Sequence, residues 1–160
     1  MRRPAFLLLV TILAAPPAHA QTALPDPSRT PGAINPEVRE ENIRSTICVR
    51  GWTHTVRPPW QYTSALKRQQ IQEFRYADRR MQDYEEDHLV PLALGGSPTD
   101  PRNLWPQPRT VPGGWDSDVK NELEGVLAHL VCTGRVPLAQ AQQAIATNWI
   151  EAFNRYVVGE

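Results

Sequence analysis

Asp87 and His88 stand side by side at the end of a β-prone run, Tyr84-Glu85-Glu86-Asp87-His88-Leu89-Val90. Asn103 follows after a glycine turn, Gly95-Gly96, and a short loop. Hydrolysis of a phosphodiester needs a base for water, a cation for the developing charge, and positioning. A neutral imidazole is available as a base near pH 7. A carboxylate is a hard oxygen ligand suited to Mg²⁺, Mn²⁺ or Ca²⁺. An amide carries donors and an acceptor, so Asn103 is suited to bridge the loop and hold His88. Neighbouring residues of a regular strand face opposite sides. Asp87 and His88 therefore serve one reaction only if the strand ends or bends there, and Pro91 with Gly95-Gly96 provides such an ending. The plainer alternative is a surface acid, a histidine capping a strand, and a turn asparagine in Pro101-Arg102-Asn103.

These residues need elements to position them. Residues 82–92 read as the strand that enters the motif, and 103–107 as a second short strand. A helix follows, with Asp116 or Ser117 as its cap and Val119, Leu123, Val126, Leu127, Leu130 and Val131 at helical spacing. Gly134 supplies its stop. The order strand, loop, strand, helix makes a β-β-α unit over residues 82–133. Pro137 suits the first turn of a last helix, whose apolar stripe is Leu138, Ala141, Ile145, Trp149, Phe153 and Tyr156. Upstream, Ile47-Cys48-Val49 reads as a short strand and 53–56 as an edge segment continuing it. Pro58-Pro59 then forbids regular structure. A helix over 65–74 is capped by Thr63 or Ser64. Its basic residues, with Arg57, Arg75, Arg79 and Arg80, form either a solvated face or a surface for backbone phosphates. Arg102 and Arg109 are candidate phosphate contacts, or solvated loop arginines. Trp105, Trp115 and Trp149 read as core or loop anchors. The expected fold is a small α+β domain with flanking helices over the β-β-α unit.

The chain has 160 residues, enough for one domain and a modest core. Residues 1–20 read as a secretory signal peptide: Arg2 and Arg3, an apolar run over 5–14, and Ala18-His19-Ala20 before the cut. Residues 21–42 read as a flexible lead, and 43–160 as the folded domain. Without Arg2 and Arg3 the chain keeps 15 basic residues against 17 acidic ones. A non-specific coat of nucleic acid is not expected from that balance, so a polyanion site must be a local patch. Cys48 and Cys132, an even pair in an exported chain, are expected to form one disulfide.

Asp87-His88-Leu89-Val90-Pro91-Leu92, Gly95-Gly96 and Asn103-Leu104-Trp105-Pro106 resemble the HNH endonucleases of the ββα-metal superfamily, and in particular small exported bacterial proteins of that kind. By motif the resemblance covers about residues 82–125. It implies a ββα-metal core, a divalent cation (Mg²⁺ first, Mn²⁺ or Ca²⁺ as alternatives), and a nucleic-acid substrate, DNA before RNA. It implies His88 as general base, Asp87 as metal ligand and Asn103 as the middle asparagine. The family often carries a histidine on the helix. Here the first turns offer Asp118, Lys120, Asn121, Glu122 and Glu124 instead. Asn121 is the first choice as ligand and Glu124 the second. The competing expectation is a module that keeps the fold and binds a metal, a wall component or a partner protein without catalysis. Export places either in the periplasm or outside the cell.

Overall fold

Strands β1 (Tyr84–His88) and β2 (Leu104–Pro108) pair antiparallel, with Tyr84 opposite Pro108, Asp87 opposite Trp105 and His88 opposite Leu104. The computed structural model in which they are seen describes residues 22–159, so the expected signal peptide lies outside the described residues. Two prolines in β2 are tolerated because the sheet has two strands. Each strand is an edge, and a missing N–H on the outer side breaks no ladder.

Helix α3 (Ser117–Cys132) follows β2 after a turn. Asp116 is its N-cap, and its carboxylate accepts from the Val119 N–H at 3.2 Å. Ser117, Lys120, Leu123, Leu127 and Val131 form the buried row of α3. Helix α4 (Leu138–Phe153) buries Leu138, Ala141, Ile145, Trp149 and Ala152 against the same core. Trp115 packs edge-on against both Trp149 and Phe153. The fold is thus α+β with one disulfide, Cys48–Cys132, which ties the last turn of α3 to the N-terminal part of the domain.

The N-terminal part departs from its expected strands. Ile47-Cys48-Val49 lies in turns after a 3-10 helix, Glu40–Ser45, and 53–56 belongs to helix α1 (Trp52–Val56). An apolar tripeptide becomes a strand only with a partner edge, and here Ile47 instead joins the hydrophobic core. Helix α2 (Trp60–Glu73) begins before Thr63: Pro59 is its N-cap, so Pro58-Pro59 leads into the helix rather than barring it. Residues 22–42, expected as a flexible lead, lie over the motif loop. Ile34 bridges Gly96, the Gly32 and Asn35 N–H groups donate to Arg102 and Gly95, and the Ala23 carbonyl accepts from the Trp149 indole. Backbone hydrogen bonds, the burial of Val38 and the packing of Ala23 and Leu24 against the core together make this attachment. No helix among the described residues is long and apolar enough to cross a membrane.

Candidate functional site

The loop between β1 and β2 is closed by one side chain. The Asn103 carbonyl group Oδ1 accepts from the Val90 N–H at 2.9 Å, and its Nδ2 donates to the Val90 and Ser97 carbonyls, both at 2.9 Å. Its own backbone carbonyl accepts from Leu89 N–H at 2.8 Å. Asn103 is wholly buried, and its bonds to Val90 are buried too, so those groups would be costly to leave unpaired. The turn also explains the second glycine. A Cβ on Gly96 would lie 1.7 Å from the Val90 carbonyl oxygen and 2.8 Å from Asn103 Nδ2, so only glycine fits beneath the staple.

The stapled loop presents a backbone carbonyl to His88. His88 Nε2 lies 3.0 Å from the Pro98 oxygen. A carbonyl only accepts, so Nε2 carries the proton and Nδ1 of the neutral ring keeps its lone pair. Nδ1 has no hydrogen-bond partner among the described residues. Burial holds the ring below the ordinary histidine value; the Pro98 bond and the Asp87 charge oppose this, and the positive charges of Arg57 and Lys120 add to it. Arg57 itself is exposed, on the segment leading into α2. Tyr62, in the first turn of α2, donates to the Thr99 carbonyl next along the same loop.

Asp87 leaves β1 on the other side, toward α3. Its Oδ2 lies 2.7 Å from the Lys120 ammonium and accepts from the Trp105 indole at 3.3 Å. Glu124, one helical turn beyond Lys120, meets the same ammonium through Oε1 at 2.5 Å. The third partner is the His88 carbonyl oxygen, at 3.0 Å. Lys120 has no exposed side-chain surface. Burial alone would lower its pKa, but attraction to Asp87 and Glu124 outweighs that and raises it. Burial pushes Glu124 up to about 7, against the pull of Lys120 and with the help of the Asp87 charge.

Asp87, His88, Asn103 and Glu124 are therefore brought to one end of the sheet. Asn121 is not: it is exposed, one residue round the helix from the buried row. Arg102 forks onto Asp100, with Nη2 at 2.6 Å, and Arg109 reaches Glu85 at 3.4 Å. Each of these exposed arginines already has a carboxylate partner. The fit to a divalent ion fails at the point where it was expected, because the oxygens of Asp87 and Glu124 converge on an ammonium. Among the described residues no group of three or more His, Cys, Asp or Glu side chains converges in a way that would hold a metal.

Three side chains of the neighbourhood were not singled out by the motif. Lys120 had a signal: the apolar row Leu123, Leu127 and Val131, extended one step toward the N-terminus, falls on it. Arg57 was visible only as part of a basic cluster. Glu86 shares the face of β1 with His88, and both its carboxylate oxygens are buried without a hydrogen-bond partner. Burial raises its pKa to about 9, with Lys67 opposing and Asp87 adding to the rise. Comparison with known proteins gives no match to a family, a curated protein or a solved structure.

Proposed function

We propose that this protein is an exported nuclease of the HNH type that hydrolyses phosphodiester bonds in DNA, with RNA as a further substrate, and that His88 is its general base. The observation that carries the reading is the bond between His88 Nε2 and Pro98 O, which leaves Nδ1 as the free acceptor on a ring kept neutral by burial. In the proposed reaction Nδ1 takes a proton from water and the resulting hydroxide attacks phosphorus. The bond to the leaving oxygen breaks, that oxygen takes up a proton from solvent, and His88 returns its own proton to solvent. Arg57, an exposed cation whose charge acts on the His88 ring, is the proposed phosphate contact. Asn103 positions the loop and does not touch substrate. No step is assigned to a metal, since Asp87 and Glu124 are engaged by Lys120. A β-β-α order of elements and an Asp87-His88 pair at the strand end support the family reading. The disulfide is compatible with export.

A second reading, a non-catalytic module on the same core, draws on that same engagement of the two carboxylates. The mature chain incubated with plasmid, RNA and a small phosphodiester, each with and without divalent ions, separates the two. Cleavage of plasmid supports the nuclease. Cleavage of the small diester alone points to another phosphoesterase, and no cleavage in any condition sinks the proposal.

A further inference from the structure

We infer that Lys120 fills the cation position of this site, so that the native centre takes up no divalent ion at Asp87 and Glu124 and becomes a one-metal site only when the ammonium is removed. An ammonium has three N–H donors and no acceptor. Here it has three oxygen partners: Asp87 Oδ2 at 2.7 Å, Glu124 Oε1 at 2.5 Å and the His88 carbonyl at 3.0 Å. Two carboxylates and a backbone carbonyl are also the hard oxygen set that Mg²⁺, Mn²⁺ or Ca²⁺ prefers. The same oxygens thus hold a cation that the chain supplies itself.

Lys120 is held there by its place in the helix. It continues the buried row of Leu123 and Leu127, and its side chain has no exposed surface. Leaving the site would strand a buried ammonium without a counter-charge, and staying would set it against an incoming dication. Asp87 Oδ2 is further occupied by the Trp105 indole N–H. The site's cation is therefore permanent, and its bond to the His88 carbonyl fixes the strand end that carries the proposed base. The consequence for catalysis rests on the nuclease reading: hydrolysis by His88 does not need a chelatable metal.

The test is calorimetric titration of the mature, disulfide-bonded protein with Mn²⁺, which does not depend on activity. The wild type is expected to take up no Mn²⁺ at millimolar concentration. Lys120→Ala is expected to take up one ion, and to lose it again when Asp87→Asn is added. A wild-type site for Mn²⁺ that Asp87→Asn abolishes would overturn the inference. So would a folded Lys120→Ala that binds none. If Lys120→Ala does not fold, Lys120→Ser is titrated in its place, and the wild-type titration decides on its own. The second arm compares plasmid cleavage in EDTA and in Mg²⁺. Equal rates within about twofold support the inference, and a loss of more than about tenfold in EDTA contradicts it. Absence of cleavage in both sinks the nuclease reading, while the titration still decides the role of Lys120.

Discussion

His88 Nε2 faces the carbonyl oxygen of Pro98 at 3.0 Å, and that contact fixes which nitrogen of the ring is free for chemistry. Burial holds the ring's pKa below 6.5, so the neutral form predominates at pH 7 and above. The rate of phosphodiester cleavage should be flat near pH 7 and fall on the acid side of about 6.5. A kcat/KM profile between pH 4 and 9, on the order of ten points, checks this. An acid limb centred above 6.5 would place the base elsewhere. The same shift affects stability. The folded state binds the proton less readily than the unfolded one, so stability is lost as pH falls from 6.5 through the lower folded value.

Asn103 joins the two ends of the loop between β1 and β2 through its side chain. Asn103→Ala leaves the Val90 N–H and the Val90 and Ser97 carbonyls without that partner, in a position with no solvent access. Each buried group left unpaired costs about 1–3 kcal/mol, and water entering the gap recovers part of it. A loss of about 2–4 kcal/mol is expected in urea unfolding, together with loss of activity. Asn103→Asp should be nearly as damaging, because a carboxylate accepts from Val90 but donates to neither carbonyl.

Glu86 predicts the opposite pH sign from an ordinary surface acid. Its folded pKa is raised to about 9 by burial, well above the unfolded value. The folded state therefore keeps a proton that the unfolded state gives up, and stability falls as pH rises from about 4.5 toward 9. Glu86→Gln should flatten that decline and raise the Tm at pH 8 relative to the wild type, while changing little at pH 5. Thermal melts of both proteins across that range check it. A wild-type Tm that climbs steadily from pH 5 to 8 would contradict the buried state of this carboxyl.

Much of the site was legible because its signals are local. Gly95-Gly96 and Pro91 mark a strand ending, the Asp116 cap and the Leu123, Leu127, Val131 row mark α3, and both sit beside the residues they position. Asn103 was readable as a bridge because an amide is one of few side chains that both donates and accepts. The N-terminal half was less legible. Ile47-Cys48-Val49 has strand-forming residues but no partner edge, and pairing is a tertiary fact. Residues 22–42 are attached by backbone hydrogen bonds, which every sequence carries, and by isolated apolar side chains such as Leu24 and Val38, which follow no helix or strand period. Asn121 lies about 100° round the helix from Lys120, which turns it away from the buried row and leaves it exposed. Lys120, one residue before Asn121, is the side chain that points inward, to Asp87 and Glu124.

The disulfide between Cys48 and Cys132 spans 84 residues. In the chain-entropy description a closed loop of that size restricts the unfolded state by about 4–5 kcal/mol. Reduction, or a Cys48→Ser/Cys132→Ser double variant, should lower unfolding stability by about 2–5 kcal/mol. Guanidinium unfolding of oxidised and reduced protein measures this directly. An unchanged midpoint would mean that packing alone holds the end of α3.

The central claim is that His88 is the base of phosphodiester hydrolysis, and the direct test is cleavage of plasmid by the wild type and by His88→Ala under single-turnover conditions, with both shown to be folded by near-ultraviolet circular dichroism. General-base catalysis by a positioned side chain contributes about 10²- to 10⁴-fold. The account predicts a loss of that size in His88→Ala with the fold retained. Cleavage by a folded His88→Ala at the wild-type rate would contradict it.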